Sequence, residues 1–197
     1  MSFSVVSAPV IDTFETDQLT MGEIGTVAGA IDVVRFMDDN GSMVGFGTPM
    51  VSGGQFQCAA GTIFGDLAQC RLVYDGINNG AGDINTGVLG TGMLGGGIDF
   101  VDSGNTKLTI MVTGFLGPTG SITLNTRDYA GDACITSATV TSVGEVELPF
   151  SGGSCTMAPD DVRGFQITVT ATGTVGSFMN IDMPEATPVE LLQFGVD

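Results

Sequence analysis

The chain has 197 residues and contains neither histidine nor tryptophan. Without histidine it has no imidazole base, no Ser-His-Asp or Cys-His nucleophile and no His ligand for zinc, copper or iron. Without tryptophan it lacks one of the flat rings that stack well on sugars, which leaves only Tyr74 and Tyr129 as amphipathic aromatic residues. We therefore expect a protein that is not an enzyme, with no catalytic residue and no required cofactor.

Basic residues are scarce. Only 5 Lys and Arg stand against 22 Asp and Glu, which gives a formal net charge of −17. Such a surface repels phosphate backbones, so nucleic acid is excluded as a partner. Gly, Ser, Thr or Asp interrupts every apolar run, and none approaches the roughly 18 residues of a membrane-spanning helix. We expect no transmembrane segment.

Helical periodicity is nearly absent, whereas strand periodicity is frequent. Residues 107–113, 121–126 and 165–170 alternate apolar side chains with Thr, Gln or other polar side chains, the pattern of a half-buried strand. Shorter runs of similar character occur at 3–10, 31–37, 43–46, 55–59, 71–74, 98–101, 135–140, 145–150, 177–181 and 189–196. The sequence therefore predicts about a dozen strands.

Turn residues separate these runs. Residues 38–41, 117–120 and 151–154 each have the composition of a tight hairpin turn. Many short strands with Gly-rich turns predict an all-β fold, and we expect one domain over residues 1–197: a jelly-roll-like antiparallel β-sandwich with a long Gly/Asn/Asp-rich loop near 75–97. A right-handed β-solenoid is the alternative, although no fixed repeat period is present.

The four cysteines are Cys58, Cys70, Cys134 and Cys155. They contain no C-x-x-C pair, so neither a thioredoxin-like motif nor a zinc ribbon is available. Of the three pairings, we favour Cys58–Cys70 and Cys134–Cys155, because each couple brackets one predicted hairpin and neighbouring strands bring Cα atoms within bonding range. Disulfides indicate an extracellular or cell-surface location. The alternative is four buried thiols in a cytosolic protein.

Three acidic pairs are candidate glycosidase carboxylates, because two such groups about 5 to 10 Å apart can act as acid and base or nucleophile. They are Asp38/Asp39, Glu145/Glu147 and Asp160/Asp161. The first and third pairs fit turns, and the second fits the solvent side of one strand. A glycosidase is therefore the third functional hypothesis, without a named catalytic residue.

The loop at residues 75–85 is a candidate calcium site. Calcium prefers six to eight hard oxygen ligands from carboxylates, amides and carbonyls. Asp75, Asn78, Asn79, Asp83 and Asn85 could provide several of them. The loop is not an EF-hand, since Ile77 occupies its third position. The alternative is a loop whose residues merely tolerate left-handed backbone geometry.

Four segments together resemble secreted bacterial β-sandwich proteins of the exosortase-sorted, PEP-CTERM-like kind. The segments are Val-Ile-Asp-Thr-Phe at 10–14 with Gln18, Leu-Val-Tyr-Asp-Gly at 72–76, Gly-Gly-Gly-Ile-Asp-Phe at 95–100 and Thr-Pro-Val-Glu-Leu-Leu-Gln-Phe at 187–194. The resemblance implies export and a surface or matrix role, and it implies no catalytic residues.

Two functions remain as principal hypotheses. The first is a non-enzymatic extracellular structural protein, a matrix, sheath or filament subunit that self-associates when a terminal strand completes the sheet of a neighbouring copy. Phe3, Val5, Leu191 and Phe194 would be buried in that contact, unless each end pairs within its own sandwich. The alternative is a calcium-dependent carbohydrate-binding or adhesive module with polysaccharide as its partner.

Overall fold

The computed structural model describes residues 11–24, 35–39, 47–60, 67–75, 105–128, 130, 132–150, 154–156, 162–172 and 176–188. These residues form eleven β-strands: β1 Gly22–Ile24, β2 Arg35–Asp38, β3 Gly47–Ser52, β4 Gln55–Ala60, β5 Leu67–Tyr74, β6 Asn105–Leu116, β7 Thr119–Arg127, β8 Ala133–Val140, β9 Gly144–Pro149, β10 Gly164–Thr172 and β11 Phe178–Pro188.

All strands pair antiparallel in two sheets. The six-stranded sheet has the order β1-β2-β5-β10-β7-β8, and the five-stranded sheet has the order β3-β4-β11-β6-β9. Only β1–β2, β3–β4 and β7–β8 are consecutive strands that pair with each other. Every other consecutive pair of strands lies in different sheets. This repeated crossing confirms the predicted all-β, jelly-roll-like sandwich.

The core lies between the two sheets and follows from the alternation in the sequence. On β7 the side chains of Ile122 and Leu124 are buried, while those of Ser121 and Thr123 face outward. On β10 the side chains of Phe165, Ile167 and Val169 are buried in the same way. The inner faces of both sheets contribute to one continuous apolar cluster. Burial of this cluster is the main contribution to the stability of the fold.

The connections differ from the sequence prediction in one clear case. The turn at 117–120 does not form a hairpin: β6 belongs to the five-stranded sheet and β7 to the six-stranded sheet, so this turn joins the two sheets. Turn composition marks a change of direction and does not show whether the next strand pairs with the previous one. Of the other two predicted hairpin turns, only Asp38, Asp39 and Ser154 lie among the described residues.

A hairpin that the sequence analysis missed joins β3 and β4. Its two central residues are Gly53 and Gly54, with φ values of 61° and 79°. Positive φ at both positions is the geometry of a type I′ turn, which glycine adopts without steric cost and which matches the twist of a hairpin. The Gly-Gly dipeptide before the predicted strand at 55–59 is the local signal from which the turn, and with it β3, could have been predicted.

Both disulfides have the expected pairing, Cys58–Cys70 and Cys134–Cys155. The reason given for that pairing was wrong, since neither bond lies within a hairpin. Cys58 is on β4 and Cys70 on β5, so this bond connects the two sheets across the core, with a Cα–Cα distance of 5.7 Å. Cys134 is on β8, and Cys155 follows β9 of the opposite sheet.

Gly47 allows the two sheets to approach each other beside the first disulfide. A Cβ atom at this position would lie 2.2 Å from the carbonyl oxygen of Gln69 and 2.7 Å from Sγ of Cys70. Neither contact is compatible with a side chain, and the closer one is with backbone. The start of β3 therefore requires glycine where it crosses β5.

The proposed strand-exchange residues Phe3, Val5, Leu191 and Phe194 lie outside the described residues. No helix long and apolar enough to cross a membrane occurs in the described part of the chain.

Candidate functional site

Of the five predicted calcium ligands, the structure describes only Asp75. Asp75 directly follows β5 and is 4% exposed. Asn78, Asn79, Asp83 and Asn85 lie outside the described residues, so the structure does not test whether they converge. Among the residues that the structure describes, no three His, Cys, Asp or Glu side chains are grouped as metal ligands.

Asp38 and Glu147, two members of the acidic pairs, form ion pairs with basic side chains. Asp38 accepts two hydrogen bonds from Arg71, at 2.5 Å from Nε and 2.6 Å from Nη2. Such a bidentate pair fixes both side chains. Glu147 forms an ion pair with Lys107, and Glu145 and Glu147 are both exposed on β9, as the alternation predicted. Asp160 and Asp161 lie outside the described residues.

A buried polar network surrounds Arg35, the largest fully buried side chain among the residues that the structure describes. Its Nη1 donates to Oδ2 of Asp12 at 2.9 Å, its Nε donates to Oε1 of Gln18 at 3.1 Å, and its Nη2 donates to the carbonyl oxygen of Thr16 at 2.6 Å. The hydroxyl of Tyr74 also donates to Oδ2 of Asp12, at 2.9 Å. The network fastens the segment before β1 to β2 and β5.

Local geometry at Phe14 depends on the same aspartate. The backbone N–H of Phe14 donates to Oδ1 of Asp12 at 2.8 Å, and Phe14 has a φ of 54°, a left-handed conformation that is rare outside glycine. The Phe14 ring then lies 5.9 Å from the guanidinium carbon of Arg35. Asp12 therefore stabilises both an unusual backbone turn and a buried cation.

This network is structural. Asp12 and Arg35 are fully buried, and Gln18 and Tyr74 nearly so, which leaves no surface for a ligand. Burial, followed by the adjacent Asp12 carboxylate, raises the pKa of Tyr74 well above its usual value. Asp12, Phe14, Gln18 and Tyr74 come from two segments that carry the resemblance described above. The structure brings those segments together in the interior.

The outer face of the six-stranded sheet is lined with hydroxyl and amide groups, several of which bind one another. Thr119 and Thr172 are hydrogen-bonded at 3.1 Å, Thr123 and Ser137 at 2.9 Å, and Nε2 of Gln166 donates to Oγ1 of Thr168 at 2.8 Å. These side chains mutually satisfy much of their hydrogen-bonding capacity. The face is a polar surface of the kind that solvent-facing strands usually present.

The outer face of the five-stranded sheet differs, and its central part is the candidate functional site. We call this surface the β11 face. It comprises the outward-facing side chains of β11 and their cross-strand neighbours: Met50, Gln57, Ala59, Met111, Leu116, Glu145, Phe178, Asn180 and Asp182, together with Gly114. Met111 is 43% and Leu116 50% exposed.

Strand β11 presents three different chemical groups in succession on this face. Phe178, Asn180 and Asp182 alternate with Met179 and Ile181, which are fully buried. Alternate residues of a strand are about 7 Å apart. The face therefore carries an aromatic ring, an amide and a carboxylate in a row, each partly exposed.

One cross-strand neighbour of this row, Gly114, has no side chain. Phe178 lies between Ala59 and Leu116, and Asn180 between Gln57 and Gly114. A Cβ atom on Gly114 would lie 3.0 Å from Nδ2 of Asn180 and 3.2 Å from Cε2 of Phe178. Because Gly114 has no side chain, the ring and the amide lean towards each other over its backbone.

Asn180 retains unused hydrogen-bonding capacity. Its Oδ1 has no partner within the described part of the chain, although little water reaches that atom. The Oδ1 atom of Asn125 on the opposite sheet is also buried and has no hydrogen-bond partner within the described part of the chain. A polar atom left in this condition costs free energy.

A bulge shapes the centre of the β11 face. The register between β11 and β6 shifts between Asn180 and Ile181, where β6 contains one additional residue, Thr113. A bulge bends its strand and redirects side chains. It keeps Val112 and Phe115 facing the core while Gly114 and Leu116 face outward. The sequence analysis predicted the strand at 177–181 and missed this site, because alternation alone does not show which outward-facing strands become neighbours.

Comparison with known proteins adds information on the fold. No family model and no curated protein matches the chain. Among solved structures it is similar to part of an agarase, with a TM-score of 0.52 at 7% sequence identity over 92% of this chain and 26% of the agarase chain. This likeness shows a shared fold.

Two further solved structures are less similar. An exo-β-agarase has a TM-score of 0.48 at 10% identity, over 92% of this chain and 25% of that chain. A family 11 carbohydrate-binding module from Clostridium thermocellum, in complex with a β-1,3-1,4-mixed-linked tetrasaccharide, has a TM-score of 0.39 at 13% identity, over 86% and 97% of the two chains. This chain spans about a quarter of the length of the agarases that it matches.

Proposed function

We propose that the chain is a non-catalytic carbohydrate-binding module that binds a polysaccharide on the β11 face. The observation that carries this proposal is the row of Phe178, Asn180 and Asp182 on one open sheet surface. The sandwich fold shared with part of an agarase supports it, as does the exposed apolar surface of Met111 and Leu116 beside the row.

The chemistry of this row suits a sugar. A pyranose ring has an apolar C–H surface and a rim of hydroxyl groups. The Phe178 ring offers a flat apolar surface for the first, and the Asn180 amide and Asp182 carboxylate offer hydrogen-bonding groups for the second. Because these groups project from one rigid strand, little conformational freedom is lost on binding.

Carbohydrate binding is better supported than the structural-subunit hypothesis. The residues of the strand-exchange contact lie outside the described part of the chain, whereas the β11 face is defined by contacts within it. The two disulfides fit a protein that works outside the cytoplasm, where extracellular polysaccharide is available.

The test is affinity electrophoresis and calorimetry of the full chain with a panel of soluble polysaccharides that includes agarose oligosaccharides and mixed-linked β-glucan. Phe178→Ala is expected to weaken binding at least about tenfold, equivalent to about 1.4 kcal/mol. Thr168→Ala, on the opposite sheet, is the matched control and is expected to change the affinity less than about twofold.

Three results decide the outcome. Binding that is lost in Phe178→Ala and kept in Thr168→Ala supports the proposal. Absence of binding to every polysaccharide, or equal binding by both variants, contradicts it. Release of new reducing ends during the incubation would contradict the proposal that the module is non-catalytic.

Repeating the titration with calcium and with a chelator tests the predicted calcium site at residues 75–85. Calcium-dependent binding is expected if Asp75, Asn78, Asn79, Asp83 and Asn85 bind the ion.

A further inference from the structure

The distribution of charge on the β11 face bears on which polysaccharides it can accept. Glu145 on β9 lies opposite Met111 on β6, and Met111 in turn lies opposite Asp182 on β11. Two carboxylates therefore flank the exposed Met111 side chain, with their strands roughly 10 Å apart. In the described part of the chain, neither carboxylate forms an ion pair.

Positive charge on this face is nearly absent. Among the described residues, the outer side of the five-stranded sheet holds one basic side chain, Lys107, which lies outside the β11 face and forms an ion pair with Glu147. The whole chain carries a net charge of −17. The Debye length is about 8 Å at physiological ionic strength, so an anionic group on a ligand in contact with Met111 would not be screened from the two carboxylates.

The same carboxylates are favourable partners for an uncharged sugar. A hydroxyl donates a hydrogen bond to a carboxylate more strongly than to a neutral acceptor. A sulfate or uronate in that position has no proton to donate and is repelled. The face thus combines an attractive interaction for one class of polymer with a repulsive one for another, which is how binding sites obtain specificity.

We propose that the β11 face selects uncharged polysaccharides and rejects polyanionic ones, with Glu145 and Asp182 as the selecting residues. This inference rests on the proposed carbohydrate-binding function and adds the charge class of the ligand. Glu145 and Asp182 belong to two strands, β9 and β11, that are far apart in the sequence. Their pairing with β6 places the two carboxylates on either side of Met111.

The experiment compares two galactans with the same backbone, one neutral and one sulfated, by calorimetry at low salt and at about 1 M NaCl, where the Debye length falls to about 3 Å. For the wild-type chain, the neutral galactan is expected to bind with an affinity that changes less than about threefold with salt. The sulfated galactan is expected to bind at least about tenfold more weakly at low salt, with a smaller difference at high salt.

A charge-removing double variant, Glu145→Gln with Asp182→Asn, keeps the size of both side chains. It is expected to bind the sulfated galactan at least about threefold more tightly and the neutral galactan more weakly, because repulsion and the charge-assisted hydrogen bonds are lost together. Glu15→Lys is the control: Glu15 is exposed in the segment before β1, and the substitution changes the net charge by a similar amount away from the β11 face. It should shift neither affinity by more than about twofold.

The outcomes separate this inference from the function on which it rests. If neither galactan binds at any salt concentration, and the other polysaccharides of the panel also fail, the carbohydrate-binding proposal is wrong. If both galactans bind equally at low salt, or the sulfated one binds more tightly, the chain binds carbohydrate and the charge selection is wrong. The charge selection is supported if the double variant binds the sulfated galactan more tightly and the neutral galactan more weakly than the wild-type chain.

Discussion

At the scale of single residues, the N-terminal part of the fold depends on one buried cation. Arg35 is fully buried, yet its Nη1, Nε and Nη2 atoms each donate a hydrogen bond: to a carboxylate, an amide oxygen and a backbone carbonyl respectively. The burial of a charge is tolerated only when its hydrogen bonds are satisfied in this way. The network therefore attaches residues 12–18 to β2 and β5 of the six-stranded sheet.

Replacement of this cation is expected to be severe. Arg35→Met leaves the Asp12 carboxylate buried without its counter-charge, and we expect a loss of about 3 to 5 kcal/mol in the free energy of unfolding. Chemical denaturation monitored by far-UV circular dichroism measures it. Arg163→Met removes a positive charge at a partly buried position, and its loss in the free energy of unfolding is compared with that of Arg35→Met. A loss below about 1 kcal/mol for Arg35→Met would show that the network contributes little.

Tyr74 makes the stability of the protein sensitive to alkaline pH. Its pKa in the folded chain is raised above the unfolded value of about 10. The folded state therefore holds this proton more tightly than the unfolded state. The stabilisation is complete below pH of about 10 and is lost as the pH rises through the folded pKa.

Tyr74→Phe is expected to remove this sensitivity. At neutral pH the variant loses the hydrogen bond to Asp12 and about 1.5 to 3 kcal/mol of stability, whereas at high pH the difference from the wild-type chain shrinks. Denaturation midpoints measured across the alkaline range test this. The result would contradict the assignment if the two chains lost stability in parallel.

At the scale of secondary-structure elements, the β3–β4 hairpin depends on its two glycines. A Cβ atom on Gly53 would meet nothing within 4 Å, so a substitution there acts through backbone conformation alone. Gly53→Val is expected to cost about 1 to 2 kcal/mol, because a β-branched residue is strained at positive φ. Gly53→Asn should cost less, since Asn tolerates this conformation. Thermal unfolding measures both, and equal losses would contradict the type I′ assignment.

Several elements follow directly from local sequence. Strands β6, β7 and β10 contain residues 107–113, 121–126 and 165–170, whose alternation has the period of a strand and whose buried positions are the apolar ones. Strand β3 was missed because Pro49 interrupts its pattern, and Pro is rare in strands except at sheet edges. Strand β3 does lie at the edge of its sheet.

At the scale of the whole molecule, the two disulfides are placed differently relative to solvent. Cys58 and Cys70 are fully buried between the sheets, whereas Cys155 is only partly buried. A thiolate reductant must reach a sulfur atom to exchange with it. The position of the first bond in the core therefore protects it while the chain is folded.

Reduction of the native protein is expected to open Cys134–Cys155 before Cys58–Cys70. Timed alkylation followed by peptide mass analysis measures the order. In denaturant, where access is equal, the two bonds should be reduced at similar rates, which serves as the control. Simultaneous opening under native conditions would indicate that reduction proceeds through global unfolding.

The candidate functional site is assembled by the tertiary structure of the whole molecule. Phe178, Asn180 and Asp182 are visible in the sequence as alternate residues of one strand, but Gly114 and Glu145 are 66 and 37 residues away from Asn180 and Asp182 respectively by residue number. Antiparallel pairing with a bulged β6 brings them together. No local pattern encodes that register, so the sequence analysis named no residue of this face and placed only a candidate calcium site, in the loop at 75–85.

The sequence by itself determined the all-β class, the acidic net charge and most of the long strands, because composition and a period of two are local properties. Tertiary structure alone decided which sheet each strand joins, that the Cys58–Cys70 bond crosses the core, and that Asp12, Arg35 and Tyr74 meet in the interior. Alternation shows that a strand has two faces. Which face meets the other sheet, and which meets a ligand, depends on contacts between residues far apart in the chain.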